Sequence, residues 1–242
     1  MKKSIFKVIS NVLIAKNTYE MVLSGDTSDI TRPGQFVNIQ LDGFFLRRPI
    51  SVCDWDEKTL TLIYKVVGQG TEYMKALTAG EELDILTGLG NGYDVSVSGD
   101  APLLIGGGAG VPPMYALAKK LIGEGKKVTV ILGFNSADEI FYADKFAGIG
   151  ADVKVTTADG SVGIKGFVTD AMDISYTHTY TCGPEPMLRA VYMKSVTGGQ
   201  YSFEERMGCG FGACMGCTCK TKYGDKRICR DGPVLTKEEI VW

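Results

Sequence analysis

The chain has 242 residues, of which 45% are hydrophobic and 22% charged, and its formal net charge is −2. That is enough chain for a substantial core, and the lack of a basic excess argues against nucleic acid as a partner. No apolar run reaches bilayer-spanning length, so no membrane partner is expected.

The opening Met1-Lys-Lys-Ser-Ile-Phe-Lys is charged, but Lys7, Ser10 and Asn11 break the apolar stretch that follows. Its alternation reads as a strand rather than a secretion signal, so a cytoplasmic location is expected. Residues 1–100 then read as short strands, Ile5–Ala15, Tyr19–Ser24, Gln35–Leu41, Ile50–Asp54 and Leu60–Val67, separated by turn signals such as Arg32-Pro-Gly. A closed or nearly closed antiparallel barrel would satisfy so many edges, with one helix near Thr71–Leu77.

Two segments of this region suit an anion. In Arg47-Arg-Pro-Ile-Ser51 the proline holds the preceding arginine extended, so the Arg48 guanidinium can be aimed at an oxyanion with the Ser51 hydroxyl nearby. In Ile63-Tyr-Lys-Val-Val-Gly-Gln-Gly-Thr71 a strand runs through Gly68 and Gly70 into a helix, offering backbone N–H groups to a phosphate. The two together would grip a pyrophosphate from both sides.

From Ala101 the pattern changes to alternating strand and helix. Pro102-Leu-Leu-Ile-Gly, a helix near Pro112–Gly123, Lys127–Leu132, Asp152–Thr157, Thr179–Cys182 and a helix at Glu185–Ser195 read as a helix-covered parallel sheet. Its first strand-to-helix turn, Ile105-Gly-Gly-Gly-Ala-Gly-Val-Pro-Pro113, lacks the last glycine of a G-x-G-x-x-G fingerprint. It still stands where a dinucleotide pyrophosphate is expected. Cys182-Gly-Pro-Glu-Pro-Met187 ends another strand, which puts Cys182 and Glu185 at the ligand-binding edge of such a sheet. After the second strand, Gly133-Phe-Asn-Ser-Ala-Asp-Glu139 carries acids and no cation for a 2′-phosphate, favouring NAD over NADP. The sole histidine, His178, is read as structural. Gly198-Gly199 reads as a hinge or linker, so the expected units are residues 1–100, 101–198 and 199–242.

Five of the seven cysteines, Cys209, Cys214, Cys217, Cys219 and Cys229, lie in the last unit. Such crowding without an export signal favours metal binding over disulfides. Cys209, Cys214 and Cys217 fall as C-x4-C-x2-C with Cys229 as a fourth, the plant-type ferredoxin order for a [2Fe–2S] cluster, embedded in small residues that let backbone wrap closely. Cys219 lies two residues from Cys217 and could replace it or pack beneath the cluster; spacing favours Cys217. Four thiolates also suit structural zinc in an interaction module, but zinc ribbons prefer paired C-x2-C knuckles, and only one short pair is present.

Taken in order, Arg-x-x-Ser, Gly-x-Gly-Thr, Gly-Gly-Gly-x-Gly-x-x-Pro and Cys-Gly-Pro-x-Pro-Met resemble the ferredoxin-reductase family of flavoproteins over nearly the whole chain. The segment from Glu204 to Cys217 closely resembles that of the electron-transfer subunits of dihydroorotate dehydrogenase B. The resemblance implies FAD held by Arg48, Pro49, Ile50 and Ser51, with Ile63, Tyr64 and Lys65 along its rings and Gly70 and Thr71 at its phosphates. It also implies NAD bracketed by Gly106, Gly107, Gly108, Gly110 and the Cys182 segment. The wider family usually has a flavin-stacking aromatic residue where Ile50 stands, and isoleucine fits the dihydroorotate subgroup.

That resemblance implies an NAD-linked oxidoreductase subunit of pyrimidine (UMP) biosynthesis. Its expected partner is an FMN-containing dihydroorotate dehydrogenase catalytic subunit, in a heterotetramer of two of each. Electrons would pass from the partner through [2Fe–2S] and FAD to NAD. Few residues remain for a substrate pocket once the three units are assigned, which fits a subunit role. A reductase component of an oxygenase or ferredoxin-type system would share all three carriers and differ only in its partner.

Overall fold

A computed structural model describes all residues, 1–242. The N-terminal third is a closed six-stranded barrel, built from β1 (Lys2–Ala15), β2 (Thr18–Ser24), β3 (Phe36–Ile39), β4 (Arg48–Trp55), β5 (Thr59–Lys65) and β6 (Glu82–Leu89). The order around the barrel is β1-β2-β5-β4-β3-β6, every pairing antiparallel. Alternation dictates what fills it: Phe6 and Val8, Met21 and Leu23, Val37 and Ile39, and Leu83 and Ile85 point inward, each 0–4% exposed. Fully burying such a side chain stabilises the fold by about 1.5–3 kcal/mol. The closing strand β6 is absent from the sequence reading, although its burial alternates from Glu82 to Leu89. The helix expected near Thr71–Leu77 forms two residues earlier, as α1 (Gln69–Lys75).

The rest of the chain builds a seven-stranded sheet. It contains β7 (Leu103–Gly107), β8 (Thr129–Phe134), β9 (Asp152–Thr157), β10 (Ile164–Lys165), β11 (Thr179–Cys182) and β12 (Gly199–Ser202), with β15 (Val234–Thr236) at one edge. All pairings are parallel except that of β15 with β12. Helices α2 (Val111–Gly123), α3 (Ala143–Gly148) and α4 (Glu185–Lys194) cover it. Leu104, Val130 and Leu132 face the α2 side, while Leu103, Ile105 and Ile131 face α4. Both faces are thus buried, as a parallel sheet requires.

Gly198-Gly199 is not a loose hinge. Gly199 starts β12, where Thr179 pairs with it, and a side chain at that position would meet the Tyr201 ring at 3.0 Å. The cysteine segment therefore leaves from the sheet and returns to it as β15. Between them β13 (Thr218–Thr221) and β14 (Gly224–Arg227) form a two-stranded ribbon. No helix is long and apolar enough to cross a membrane.

Candidate functional site

Four ion pairs set the barrel against the sheet unit. Lys119 on α2 reaches both oxygens of Asp54 at 2.8 and 2.7 Å, Lys65 meets Glu139 at 2.9 Å, and Lys16 meets Asp138 at 2.9 Å. Glu20 accepts from both Tyr142 (2.6 Å) and Lys145 (2.7 Å). Burial works against the Glu139 carboxylate, but bonds from Lys65 and Asn135 hold it below its ordinary value. Between the units lies a narrow cleft lined by Ile63, Tyr64 and Lys65 on one side and Gly108, Ala109, Phe134, Glu139 and Phe141 on the other.

The barrel residues expected around a flavin lie on β4, on β5 and in α1. Arg48 passes close over Gly70: a Cβ on Gly70 would lie 2.1 Å from Arg48 Nε and would push the guanidinium aside. Arg48 also stacks over Phe44, 4.8 Å from the ring centroid. Pro49 and Ser51 pair with Asn38 and Phe36 on β3. Ile50 packs on the barrel core and offers no ring for stacking. The Tyr64 ring is buried inside the barrel, where its hydroxyl donates to Asn11 and its face lies near Tyr19. The Thr71 hydroxyl accepts from the backbone of Val67 and Gly68, which ties it to its own turn.

The glycine-rich turn and the Cys182 segment meet on the facing unit. Gly106 pairs with Cys182 across β7 and β11. Side chains at Gly107 and Gly110 would collide with Met187 Sδ (2.4 Å) and the Cys182 carbonyl oxygen (2.1 Å). Gly108 has a left-handed φ of +51° and open space before it. Glycine here lets two strand ends close into one surface at the carboxyl edge of the sheet. Burial pushes the Cys182 thiol up to about 12, so it stays neutral at ordinary pH and is no thiolate nucleophile. Glu185 is exposed at the start of α4. The acids after β8 do not stand free: Lys16 and Lys65 reach across from the barrel to Asp138 and Glu139. His178 sits beside Tyr180, ring centroids 4.8 Å apart, with burial lowering its pKa.

The cysteine loop arranges four of its thiols as two pairs, Cys209 with Cys214 and Cys217 with Cys229. Cys209 Sγ accepts from the backbone N–H groups of Ala213 (3.2 Å) and Cys214 (3.4 Å), and Cys214 Sγ accepts from Cys209 N (3.5 Å). Cys217 Sγ accepts from Cys229 N at 3.4 Å, both residues being buried. Partial burial opposes ionisation of Cys209, but N–H groups of Cys214, Phe211 and Ala213 bring its thiol down to about 6. Donors aimed at sulfur, with two thiols on each side, fit a cluster of two irons that takes two cysteines apiece. No three His, Cys, Asp or Glu side chains converge as they would around a single metal ion.

Left-handed backbone at Gly210, Gly212 and Met215 (φ +78°, +92° and +60°) wraps the loop, and Thr218 anchors it by donating to the Met215 carbonyl. Arg227 fastens the ribbon to the loop by donating to Gly212 O (2.9 Å) while it grips Asp231. Cys219 sits on β13 opposite Lys226, outside both thiol pairs. Sequence reasoning missed the Arg227–Gly212 and Lys65–Glu139 contacts, because no local motif marks a partner that only folding supplies.

Comparison with known proteins places these features in context. The family pattern described as the iron-sulfur cluster binding domain of dihydroorotate dehydrogenase B matches residues 204–241, and that of an oxidoreductase NAD-binding domain matches 104–192. The chain is 46% identical to the dihydroorotate dehydrogenase B (NAD(+)) electron transfer subunit of Fusobacterium nucleatum, covering 96% of each. It is 44% identical to the subunit of the same name from Bacillus mycoides, over 100% of this chain and 99% of that one. Among solved structures, an NADH-dependent reduced ferredoxin-NADP oxidoreductase studied for flavin-based electron bifurcation superposes with a TM-score of 0.88 at 30% identity. That match covers 98% of this chain and 90% of the other. The ferredoxin reductase of carbazole 1,9a-dioxygenase shares the fold at 21% identity, with a TM-score of 0.71 over 80% of this chain and 65% of its own.

Proposed function

We propose, from the premise that this chain belongs to the electron-transfer subunits of dihydroorotate dehydrogenase B, that it carries electrons from a catalytic partner to NAD. The observation that carries the reading is the coexistence, in one chain, of a thiol-pair loop rich in N–H donors, a barrel strand with Arg48 against Gly70, and a glycine turn closed on Cys182. When bound, FAD converts between the two-electron hydride chemistry of a nicotinamide and the single-electron steps of a [2Fe–2S] cluster.

The residues divide the work. Cys209, Cys214, Cys217 and Cys229 would hold the cluster, and the backbone donors at Cys209 and Cys217 would stabilise charge on its sulfurs. Arg48, Pro49, Ile50, Ser51, Ile63, Tyr64, Lys65, Gly70 and Thr71 would hold FAD, Arg48 neutralising its phosphates and the backbone of β4 and β5 lying along its rings. Gly106, Gly107, Gly108 and Gly110 would bring backbone N–H groups to the NAD pyrophosphate. Cys182 and Glu185 would stand on the nicotinamide side, Cys182 as a neutral thiol that excludes water.

The partner in this reading is an FMN-containing subunit that oxidises dihydroorotate in pyrimidine (UMP) synthesis, two copies joining two of this chain in the cytoplasm. The names of the relatives support a dihydroorotate dehydrogenase subunit over an oxygenase reductase or a zinc-stabilised module. Co-expression with the FMN subunit tests it. The expected result is a co-purifying complex that reduces NAD with dihydroorotate, which neither subunit does alone; failure to associate, or NAD reduction unaffected by omitting this chain, would contradict it.

A further inference from the structure

Asn38 occupies a place that none of the motifs accounts for. On β3 it pairs with Pro49 of β4, between Arg48 and Ile50. Strand alternation turns Val37 and Ile39 into the barrel core, and Asn38 outward on the same face as Phe36, which packs in the cluster that contains Cys217 and Cys229. There its Nδ2 donates to the carbonyl of Cys209 at 3.2 Å, across 171 positions of sequence. The side chain is 1% exposed.

The approach is close enough to restrict both sides. Gly210 holds a left-handed φ of +78°, and a Cβ there would lie 2.3 Å from Asn38 Nδ2. Asn38 itself is fixed from behind: its carbonyl accepts from Arg47 Nη1 (3.2 Å), and Arg47 is locked by the Asp84 carboxylate (2.8 Å) and carbonyl (3.0 Å). Its Oδ1 is buried without a hydrogen-bond partner. That oxygen makes the amide costly in packing terms, and a leucine of similar size would avoid the cost. The amide's one bonded group is the donor that meets Cys209.

We infer that Asn38 is a positioning residue that ties the cysteine loop to the strand carrying Arg48–Ser51, and so sets the gap across which cluster and flavin exchange electrons. The inference rests on the proposed function, in which Cys209 is a ligand and that strand holds FAD. The bond fixes the Cys209–Gly210 peptide, and with it the turn whose N–H groups converge on Cys209 Sγ. Groups that orient metal ligands in this way typically change metal affinity or activity by about 10–100-fold when removed.

The test uses the holoprotein with Asn38→Leu and Asn38→Ser. Iron and FAD content, the cluster's EPR spectrum and its reduction potential are measured, and stopped-flow absorbance separates flavin reduction by NADH from the later cluster reduction. Both variants are expected to reduce flavin at the wild-type rate, to reduce the cluster about tenfold or more slowly, and to show a shifted EPR spectrum and potential. Loss of iron with flavin reduction intact also supports the inference, since the loop is what Asn38 holds. Wild-type cluster reduction and an unchanged spectrum in either iron-loaded variant would overturn it. Wild-type protein that binds no iron or no FAD would instead remove the functional reading beneath it.

Discussion

Replacing Gly110 by alanine tests whether the glycine-rich turn and the Cys182 segment act as one nucleotide-binding surface. Gly110 precedes α2 with an ordinary φ of −86°, so an alanine backbone is not strained there. Space is the obstacle: the new Cβ would lie 2.1 Å from Cys182 O, 2.3 Å from its carbonyl carbon and 2.6 Å from Gly183 N. All three are backbone atoms, which cannot rotate aside, so the turn before α2 and the end of β11 must part by about 1.3 Å to bring the shortest contact to an ordinary 3.4 Å in a close-packed interior. Overpacking of this kind costs about 1–3 kcal/mol. A shift of about 1 Å in groups that position a reactant can lower the rate about 100-fold.

Anaerobic stopped-flow mixing of the FAD-loaded protein with NADH, followed at the flavin absorbance, reads the effect directly. Gly110→Ala should slow flavin reduction by about 10–100-fold at unchanged FAD content. Gly123→Ala is the control: it lies at the end of the same helix with nothing within 4 Å of its Cβ, and should be neutral or stabilise by about 0.4–1 kcal/mol. Wild-type flavin reduction in Gly110→Ala would refute the argument that these segments form one site.

Three further outcomes are expected. Cys217→Ser should lose iron while Cys219→Ser retains it, because Cys217 pairs with Cys229 and Cys219 lies on the ribbon; iron retained in Cys217→Ser would reverse the assignment. A double-mutant cycle of Lys65→Met and Glu139→Gln, read by thermal unfolding, should give a coupling of about 1 kcal/mol, and additivity of the single changes would contradict a domain-bridging pair. Glu20 and Glu139 both have lowered pKa values, so the unfolded chain takes up their protons first. Their contribution is therefore fully present above the ordinary value of 4.5 and lost as pH falls through the lowered ones. Melting profiles of wild type should drop more steeply in that acid window than those of Glu139→Gln, and parallel profiles would count against the linkage.

Much of the architecture was legible because it is written in local patterns. β9 and β11 begin and end at the expected residues, Asp152–Thr157 and Thr179–Cys182, where short apolar and β-branched runs are bounded by turn formers. β12 was obscured by Gly198-Gly199, a pair that reads as punctuation although Gly199 pairs with Thr179 and packs closely against the Tyr201 ring. The site divides in the same way. Glycine turns and cysteine spacing are contiguous motifs, so the sequence alone marks them as candidates. Tyr64 shows the limit: strand alternation turns its ring into the barrel core, while its neighbour Ile63 packs in the core of the sheet unit. The bonds from Asn38 to Cys209, Lys65 to Glu139 and Lys145 to Glu20 join residues far apart in sequence, so only folding brings them together.

Anaerobic addition of NADH to the purified chain, with visible absorbance and EPR recorded together, tests the central claim most directly. The account predicts that flavin absorbance falls first and that the paramagnetic signal of a reduced [2Fe–2S] cluster follows. A folded chain without visible colour, or flavin that is reduced while the cluster stays oxidised, would contradict it.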